Sequence, residues 1–559
     1  MTNYEIADHF TLLAKLMDIH GENSFRAKSY SIAAFNLEKL QKEVTEMDDA
    51  ELFNIKGIGD SMGQKIRELQ NTGRLEPLDT ILAKTPAGVL DIMQIKGLGP
   101  KKVSIIWKEM GIETVGELEY ACNENRLTNY KGFGAKTQES ILQNIRFMQS
   151  NLGFHLWAEV ESVANILVSQ LQKANPGKLF SHAGAYRRQM PTLECIDIVT
   201  DTPGAIIHQQ FSVTAGIKID TIDKTLLVNA PNQPAIRIHL ADTASFYKTL
   251  FLNSGSEAFL TAFNEQYSLP ETASSEEDIF IHNNLQPIPA PMREGAEVLQ
   301  MAANNAIPVL IQPRDIKGII HSHSVWSDGM NTLEQMANAA IAKGLEYFVI
   351  SDHSQSAYYA NGLSPERIAA QHQEIDALNA RLAPFKIFKS IEADILGDGN
   401  LDYNDPILAT FDLVIASVHS NLKMTQEKAM ERVLRAIRNP YTTILGHPTG
   451  RLLLSREGYP LDHKAIIDAC VEHNVVIEIN AHPRRLDLDW TWIPYALERG
   501  AMLSINPDAH VIGGFEDVTF GVMAAQKGGL TINSNLSSMG REAFEAFLQK
   551  QKSKQQLVV

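Results

Sequence analysis

Histidines and carboxylates recur through the C-terminal half of this 559-residue chain, each beside a short apolar run. "GIIHSHSVWSDG" supplies His321, His323 and Asp328, "YFVISDHS" His353, and "SIEADI" Glu392; "LVIASVHS" supplies His419, "TTILGHPTG" His447, and "MLSINPDAH" Asp508 with His510. Short apolar runs alternating with helical spacing read as strands and helices of βα units, hence a parallel sheet or barrel. The C-terminal ends of barrel strands open on one mouth, where nine nitrogen and oxygen donors from distant segments can meet. In a His-x-His strand end both imidazoles share one face, because side chains alternate with period two. Imidazole and carboxylate without Cys suit Zn²⁺, Mn²⁺ or Fe²⁺. One such histidine is more often a packed core residue. Nine at matching strand ends need partners when buried, and a multinuclear metal site supplies them.

The first 145 residues hold a different pattern. "NIKGIGDSMGQKI" (54–66), "QIKGLGPKKVSII" (94–106) and "NYKGFGAKTQESI" (129–141) each carry Lys-Gly-apolar-Gly before helical spacing. A Gly-x-Gly turn entering a helix exposes backbone N–H groups that bind a phosphate without reading sequence. One such turn reads as an ordinary helix–helix connection. Three point to the DNA backbone, contacted through Gly57, Gly59, Gly97, Gly99, Gly132 and Gly134 with Lys101, Lys102 and Lys136 beside them.

Composition bounds the partners. The net charge of −16 excludes bulk attraction to nucleic acid, and residues 1–150 hold 18 basic against 21 acidic side chains, so DNA contacts must be placed locally. Hydrophobic content of 44% and charge of 21% are ordinary for globular protein, and the length predicts three to five domains. No apolar run of 18 residues predicts a membrane span, and no signal peptide is visible. Three scattered cysteines fit a reducing compartment, so a cytoplasmic monomer is expected.

The histidine-rich series, with "GHPTGRLLL" and "EINAHPRRLDL", resembles the PHP (polymerase and histidinol phosphatase) domain, in the subgroup fused to bacterial family X DNA polymerases. The hairpins resemble the helix-hairpin-helix motifs of that family in number and order. "HAGAYRRQMPTLECIDIVTD" (182–201) resembles its palm strand. The resemblance implies a multidomain α and α/β protein: helical helix-hairpin-helix domains at 1–82 (lyase-like) and 83–148 (fingers), a mixed α+β nucleotidyltransferase-like palm at 149–232, a thumb at 233–290, a linker at 291–314, and a distorted (β/α)7 PHP barrel at 315–559. It further implies three metal ions held by His321, His323, Asp328, His353, Glu392, His419, His447, Asp508 and His510. Arg451 and Arg485 are expected on the substrate phosphate, with Glu392 bridging ions and Asp508 in the catalytic set. "ANGLS" departs from the subgroup, having Asn361 where Arg is usual.

The palm departs further. Family X enzymes need two carboxylates two residues apart and a third on a neighbouring strand, holding two ions. Here Ala185 stands where Ser is expected, Cys195 replaces the first carboxylate, Asp197 remains, and Arg237 or His239 holds the third position. One carboxylate cannot hold two Mg²⁺ ions, so the palm reads as degenerate, gripping DNA through Arg187 and Arg188. Lys65 matches the family's lyase lysine, against the commoner role of an exposed phosphate contact. The expected activity is metal-dependent 3′–5′ exonuclease or DNA 3′-end or abasic-site phosphoesterase action on sequence-nonspecific DNA, with Mn²⁺ or Zn²⁺ and with Mg²⁺ or Fe²⁺ as further candidates. Alternatives are a small-molecule phosphatase, a non-catalytic DNA-binding scaffold, and a polymerase that still extends primers.

Overall fold

A computed structural model of the chain describes residues 1–40, 42–214, 216–231 and 233–555. Two compact units divide it, Met1–Leu152 and Gly153–Val559.

The described residues of the first unit are helical, with no strand among them. Thr2 and Glu5 form a capping box that starts the helix Asn3–His20, and Gly21, in the left-handed region, ends it. This helix packs on Ser24–Glu38, with Phe10 edge-on to Tyr30 at 5.3 Å. One apolar core continues from there through Ile66, Ile92, Ile106 and Ile141. The three Gly-x-Gly turns share one geometry. Their central residues Ile58, Leu98 and Phe133 are buried, and each amide donates to the carbonyl three residues back. The preceding glycines, Gly57, Gly97 and Gly132, take φ of 82°, 87° and 97°, a region closed to most side chains. The following glycines, extended, cap Asp60–Thr72, Pro100–Ser104 and Ala135–Ser150. The helix begun at Pro100 continues as a π turn over Ile105–Glu109.

The second unit carries all the strands of the described residues: β1 (His155–Leu156), β2 (Phe180–Ala183), β3 (Thr192–Leu193), β4 (Cys195–Thr200), β5 (Lys218–Ile222), β6 (Thr225–Asn229), β7 (Ala235–Leu240), β8 (Gly318–Ile319), β9 (Tyr347–Ile350), β10 (Lys386–Asp394), β11 (Leu413–Ser417), β12 (Ile444–Leu445), β13 (Val476–Asn480) and β14 (Leu503–Asn506). A five-stranded mixed sheet runs β2-β4-β7-β6-β5, with β4 and β7 parallel and Asp197 opposite Arg237. The sheet therefore takes in β7, which lies beyond the expected palm boundary at 232. The expected linker at 291–314 also differs. Met292, Val298, Leu299 and Ile307 are buried with Phe251, Phe259, Phe263 and Phe280 in one cluster, because the helix Glu297–Ala303 presents its apolar side to them.

The seven strands β8 to β14 form one parallel sheet in sequence order. Its strands are largely apolar and their interior is buried, because helices cover the outside and side chains fill the inside. Backbone pairing beyond β8 and β14 nearly closes the barrel: His323 N donates to Ala509 O at 2.8 Å and Ala509 N to His321 O at 3.3 Å. Near the opposite ends of the strands Phe544 packs on Tyr347 and Phe388. Polar chemistry is left to the C-terminal mouth.

Candidate metal centre

All nine donors from the histidine series meet at that mouth, around Glu392. This carboxylate sits near the end of β10, 1% exposed. Its Oε1 lies 3.0 Å from Nε2 of His419, 3.0 Å from Nε2 of His447 and 3.2 Å from Nε2 of His321; its Oε2 lies 2.9 Å from Nδ1 of His353. Asp508 Oδ1 is 3.1 Å from His323 Nε2 and 3.5 Å from His321 Nε2. Asp328 stands 3.6 Å from His353 and 3.5 Å from His510. The donors fall into four overlapping groups, each within 4.8 Å: His323, Asp328, His353 and His510; His321, His323 and Asp508; His321, Glu392 and His447; His353, Glu392 and His419.

Burial and hydrogen bonding test whether these residues fit metal ions. Nε2 of His321, Nδ1 of His323, Nδ1 of His353 and Oε2 of Glu392 are buried and make no hydrogen bond. A buried polar atom without a partner costs about 1–3 kcal/mol, and a cation among such atoms removes that cost. The backbone is arranged for the same purpose. His321, His447 and Asp508 have φ of 63°, 22° and 54°, strained for non-glycine residues and typical of functional sites. The donor set fits hard or borderline divalent ions.

Residues that the sequence reading did not single out hold the donors. Glu478, buried in the middle of β13, accepts from Nδ1 of His321 at 2.6 Å, from the His447 amide at 3.0 Å, and from Asn480 and Asn506. Asp394 accepts from His419 Nδ1. Asp352 gathers Ser324, Ser327 and Gln371 beneath the loop that carries Asp328. A carboxylate behind a ligating imidazole fixes its tautomer and orientation. A buried Glu inside the apolar run "VVIEIN" was the available signal. Burial opposes charge on His321, but Glu478, Asp508 and Glu392 together hold it well above the ordinary imidazole range. Against the same burial, Glu392 foremost carries His419 up to about 10. Burial, reinforced by His510 and His353, pushes His323 down to about 3.

The arginines divide. Arg485 reaches the centre, with Nε 3.6 Å from Asp508 Oδ2. Arg451 does not present itself to a substrate: it binds Asp489 and the carbonyls of Arg485 and Leu486, tying two loops together. Arg187 and Arg188 also depart from expectation. Arg187 is paired with Glu276 and Ser254, and Arg188 with Glu294 at 3.1 Å, both partly buried. They tie the segment before β4 to residues 254–294 and are engaged in internal pairs.

The palm site is balanced within itself. Asp197 Oδ1 lies 3.0 Å from His239 Nε2 and 3.4 Å from Arg237, and its Oδ2 accepts from the Cys195 thiol at 3.5 Å. Both candidates for the third position thus contact Asp197. Burial first, and then Asp197, push the Cys195 thiol up to about 12, so it stays a protonated donor to Asp197. Gly184 passes so close that a Cβ would meet Asp197 Oδ2 at 2.0 Å. A cavity of about 500 Å³ remains over this strand, lined by Ala185, Asp197 and Arg237 among others. In the helical unit, Lys65 is paired with Glu68 at 2.7 Å, an unfavourable state for a nucleophilic amine. The hairpin glycines are exposed with Lys101 and Lys136, and Lys102 is half-buried beside Phe133.

Comparison with known proteins agrees with this layout. Three families match: "Helix-hairpin-helix domain" over residues 1–75, "SAM-like Helix-hairpin-helix tandem" over 89–146, and "PHP domain" over 320–482. The DNA polymerase/3′–5′ exonuclease PolX of Bacillus subtilis is 32% identical over 96% of this chain and 98% of its own length. A probable phosphatase of Thermoanaerobacter sp. is 28% identical over 35% of this chain and 81% of its own. DNA polymerase lambda of Rattus norvegicus is 27% identical over 37% and 34%. On this whole-length match the chain belongs to the bacterial family X DNA polymerases that carry a C-terminal PHP domain.

Proposed function

We propose that this chain trims or cleans DNA 3′ ends by hydrolysing phosphoester bonds in its barrel, and that its palm no longer transfers nucleotides. One observation carries the reading: nine donors gather at one mouth with Glu392 among them, several with buried ligand atoms that make no hydrogen bond, whereas the palm carboxylate is engaged by a guanidinium, an imidazole and a thiol. We read His321, His323, Asp328, His353, Glu392, His419, His447, Asp508 and His510 as ligands of three divalent ions, Mn²⁺ or Zn²⁺ being the best matches to the donor set.

Bound ions would supply Lewis acidity, neutralising phosphate oxygens and making water a nucleophile near neutral pH. The chain's own groups do the rest. Glu392 spans two donor groups with its two oxygens and keeps them in fixed register. Glu478 and Asp394 lock the rings of His321 and His419. Arg485 stands at the rim, where its guanidinium can take a phosphate oxygen. The hairpins of the helical unit supply sequence-independent backbone contacts, and the palm and thumb present the strand.

A small-phosphoester reading draws on the probable phosphatases, whose match is confined to part of the chain. The three hairpins weigh against it, since a small ester needs no DNA clamp. The test uses labelled primer–template DNA with Mn²⁺, with and without nucleotides, comparing wild type with His321→Ala and Asp197→Ala. Shortening lost only in His321→Ala, with no extension in any sample, is expected. Extension abolished by Asp197→Ala would overturn the palm reading, and small esters cleaved while DNA ends stay intact would overturn the DNA reading.

A further inference from the structure

The barrel carries a cavity rimmed by basic side chains, outside the cluster of histidines. It measures about 490 Å³ and is lined by Lys423, Lys428, Arg432 and Arg435, with Asp398 and Glu431 as its acidic members. Its floor is built by Arg432, only 2% exposed, whose guanidinium donates to the carbonyls of Ile395, Leu396 and Ser420. Ile395 directly follows Asp394 and Ser420 directly follows His419, so the floor begins one residue from two members of the centre. Lys428 and Arg435 project into the cavity from one face of the helix Gln426–Arg438, about 10 Å apart along its axis at 1.5 Å per residue. Both are exposed and neither has an ion pair among the described residues. Asp398 accepts from the amide and side chain of Asn400, which with the more distant Arg435 hold its carboxyl below the usual range.

In a solvated helix face, exposed lysines and arginines are ordinary. Three features set this one apart: it is concave, its floor is bonded to the backbone next to Asp394 and His419, and it is a cationic patch on a protein of net charge −16. A chain so acidic repels a polyanion except where cations are concentrated. The other arginines expected to grip DNA, Arg187, Arg188 and Arg451, are used in internal pairs.

We propose that this groove holds backbone phosphates of the DNA strand whose end enters the metal centre, with Lys428 and Arg435 as the main contacts and Lys423 at the rim. The proposal rests on the reading that the barrel acts on DNA. The groove reads charge and not base, which suits an enzyme that must follow any sequence as it shortens.

The test uses the full chain with Mn²⁺: wild type, Lys428→Glu/Arg435→Glu, the milder Lys428→Gln/Arg435→Gln should the first fail to fold, and Lys464→Glu/Lys550→Glu as a charge control away from the groove. Bis(p-nitrophenyl) phosphate reports the centre alone and a labelled single-stranded oligonucleotide reports strand use. For the groove variants, KM for the oligonucleotide should rise at least about fivefold relative to the small ester, and the slope of log KM against log salt should fall by about 1.4, two contacts at ~0.7 each. An oligonucleotide KM within about twofold of wild type, or an equal loss in the control pair, overturns the groove. If wild type cleaves the small ester but no DNA, or cleaves neither, the reading of the barrel fails on its own. Fluorescence anisotropy of the same oligonucleotide with the same variants then decides the groove separately: binding weakened at least about fivefold supports it and unchanged binding sinks it.

Discussion

Two carboxylates, Asp197 on β4 and Glu392 on β10, sit in buried, apolar strands of the same unit, 5% and 1% exposed, and their surroundings are opposite. Asp197 has its charge answered by Arg237 and its first oxygen bonded by His239, and its second oxygen accepts a thiol that stays protonated. Glu392 faces four imidazoles: those of His321 and His353 turn nitrogens without hydrogen bonds toward it, that of His447 bonds it at 3.0 Å, and those of His321 and His419 are held from behind by Glu478 and Asp394. A carboxylate serves a metal only where its neighbours leave negative charge and lone pairs over. In the palm the neighbours include Arg237, which cannot become a ligand, whereas in the barrel they are imidazoles, which can give up a proton and coordinate beside the carboxylate. Keeping such lone pairs over is costly in a buried site, because unpaired polar groups destabilise the fold.

The largest expected break in this comparison comes from Glu392→Gln. It keeps the shape and removes the charge shared by His321, His353, His419 and His447. Mn²⁺-dependent shortening of a labelled DNA 3′ end should fall by about 10³-fold or more, as when a member of a catalytic unit is removed. Metal content measured on the purified protein should fall with it. Retained shortening would mean that the four donor groups are not one centre.

Next in size are the carboxylates that touch no substrate. Glu478→Gln and Asp394→Asn should each lower activity or metal affinity by about 10–100-fold, the range for groups that orient ligands. These residues also mark the limit of what the sequence disclosed. The donors were legible because each lies at or beyond a strand's C-terminal end and each is a residue type that packs poorly without a partner. The hairpins were legible because glycine repeats where φ must be positive. Glu478 was not, because one Glu inside "VVIEIN" looks like a solvent-facing strand residue until the barrel is closed around it. The arginines were misjudged for a related reason. Charge is visible in a sequence, but Glu276, Glu294 and Asp489, which neutralise Arg187, Arg188 and Arg451, are distant in the chain. The palm boundary failed similarly: β7 joins the sheet through long-range pairing with β4, and local spacing does not record that.

A smaller effect sharpens the palm side. Asp197→Ala should leave DNA-end shortening within about twofold of wild type, since the residue lies on another sheet and contacts only its own neighbours. Primer extension with nucleotides and Mn²⁺ should be absent before and after the change. A loss of shortening beyond about tenfold would mean the palm carboxylate takes part in the barrel's reaction.

The smallest effect lies at the joint between palm and barrel. Lys527 ends the barrel helix Val518–Lys527, and its ammonium is buried, donating to Glu294 at 2.6 Å and to the Arg188 carbonyl at 2.8 Å, over the Trp490 ring. Burial, only partly offset by Glu294, pushes its pKa down to about 8. Between about pH 8 and the unfolded value the unfolded chain binds the extra proton, so this group makes stability rise with pH in that window. Below it both states are protonated and the cost of burying the charge is constant. Lys527→Met removes that cost and leaves Glu294 paired with Arg188. The variant should therefore gain on wild type at pH 7 by up to about 3 kcal/mol, and the gain should shrink toward pH 10. Melting temperatures of the two proteins across that range measure it. A constant difference would mean that Lys527 stays charged throughout, held by Glu294 more strongly than its burial opposes. DNA-end shortening by Lys527→Met then reports on the joint itself: if the palm's placement of the strand depends on the Lys527 hydrogen bonds to Glu294 and the Arg188 carbonyl, activity on DNA should fall despite the gain in stability while small esters are untouched, and equal losses on both would mean that these bonds merely shape the barrel.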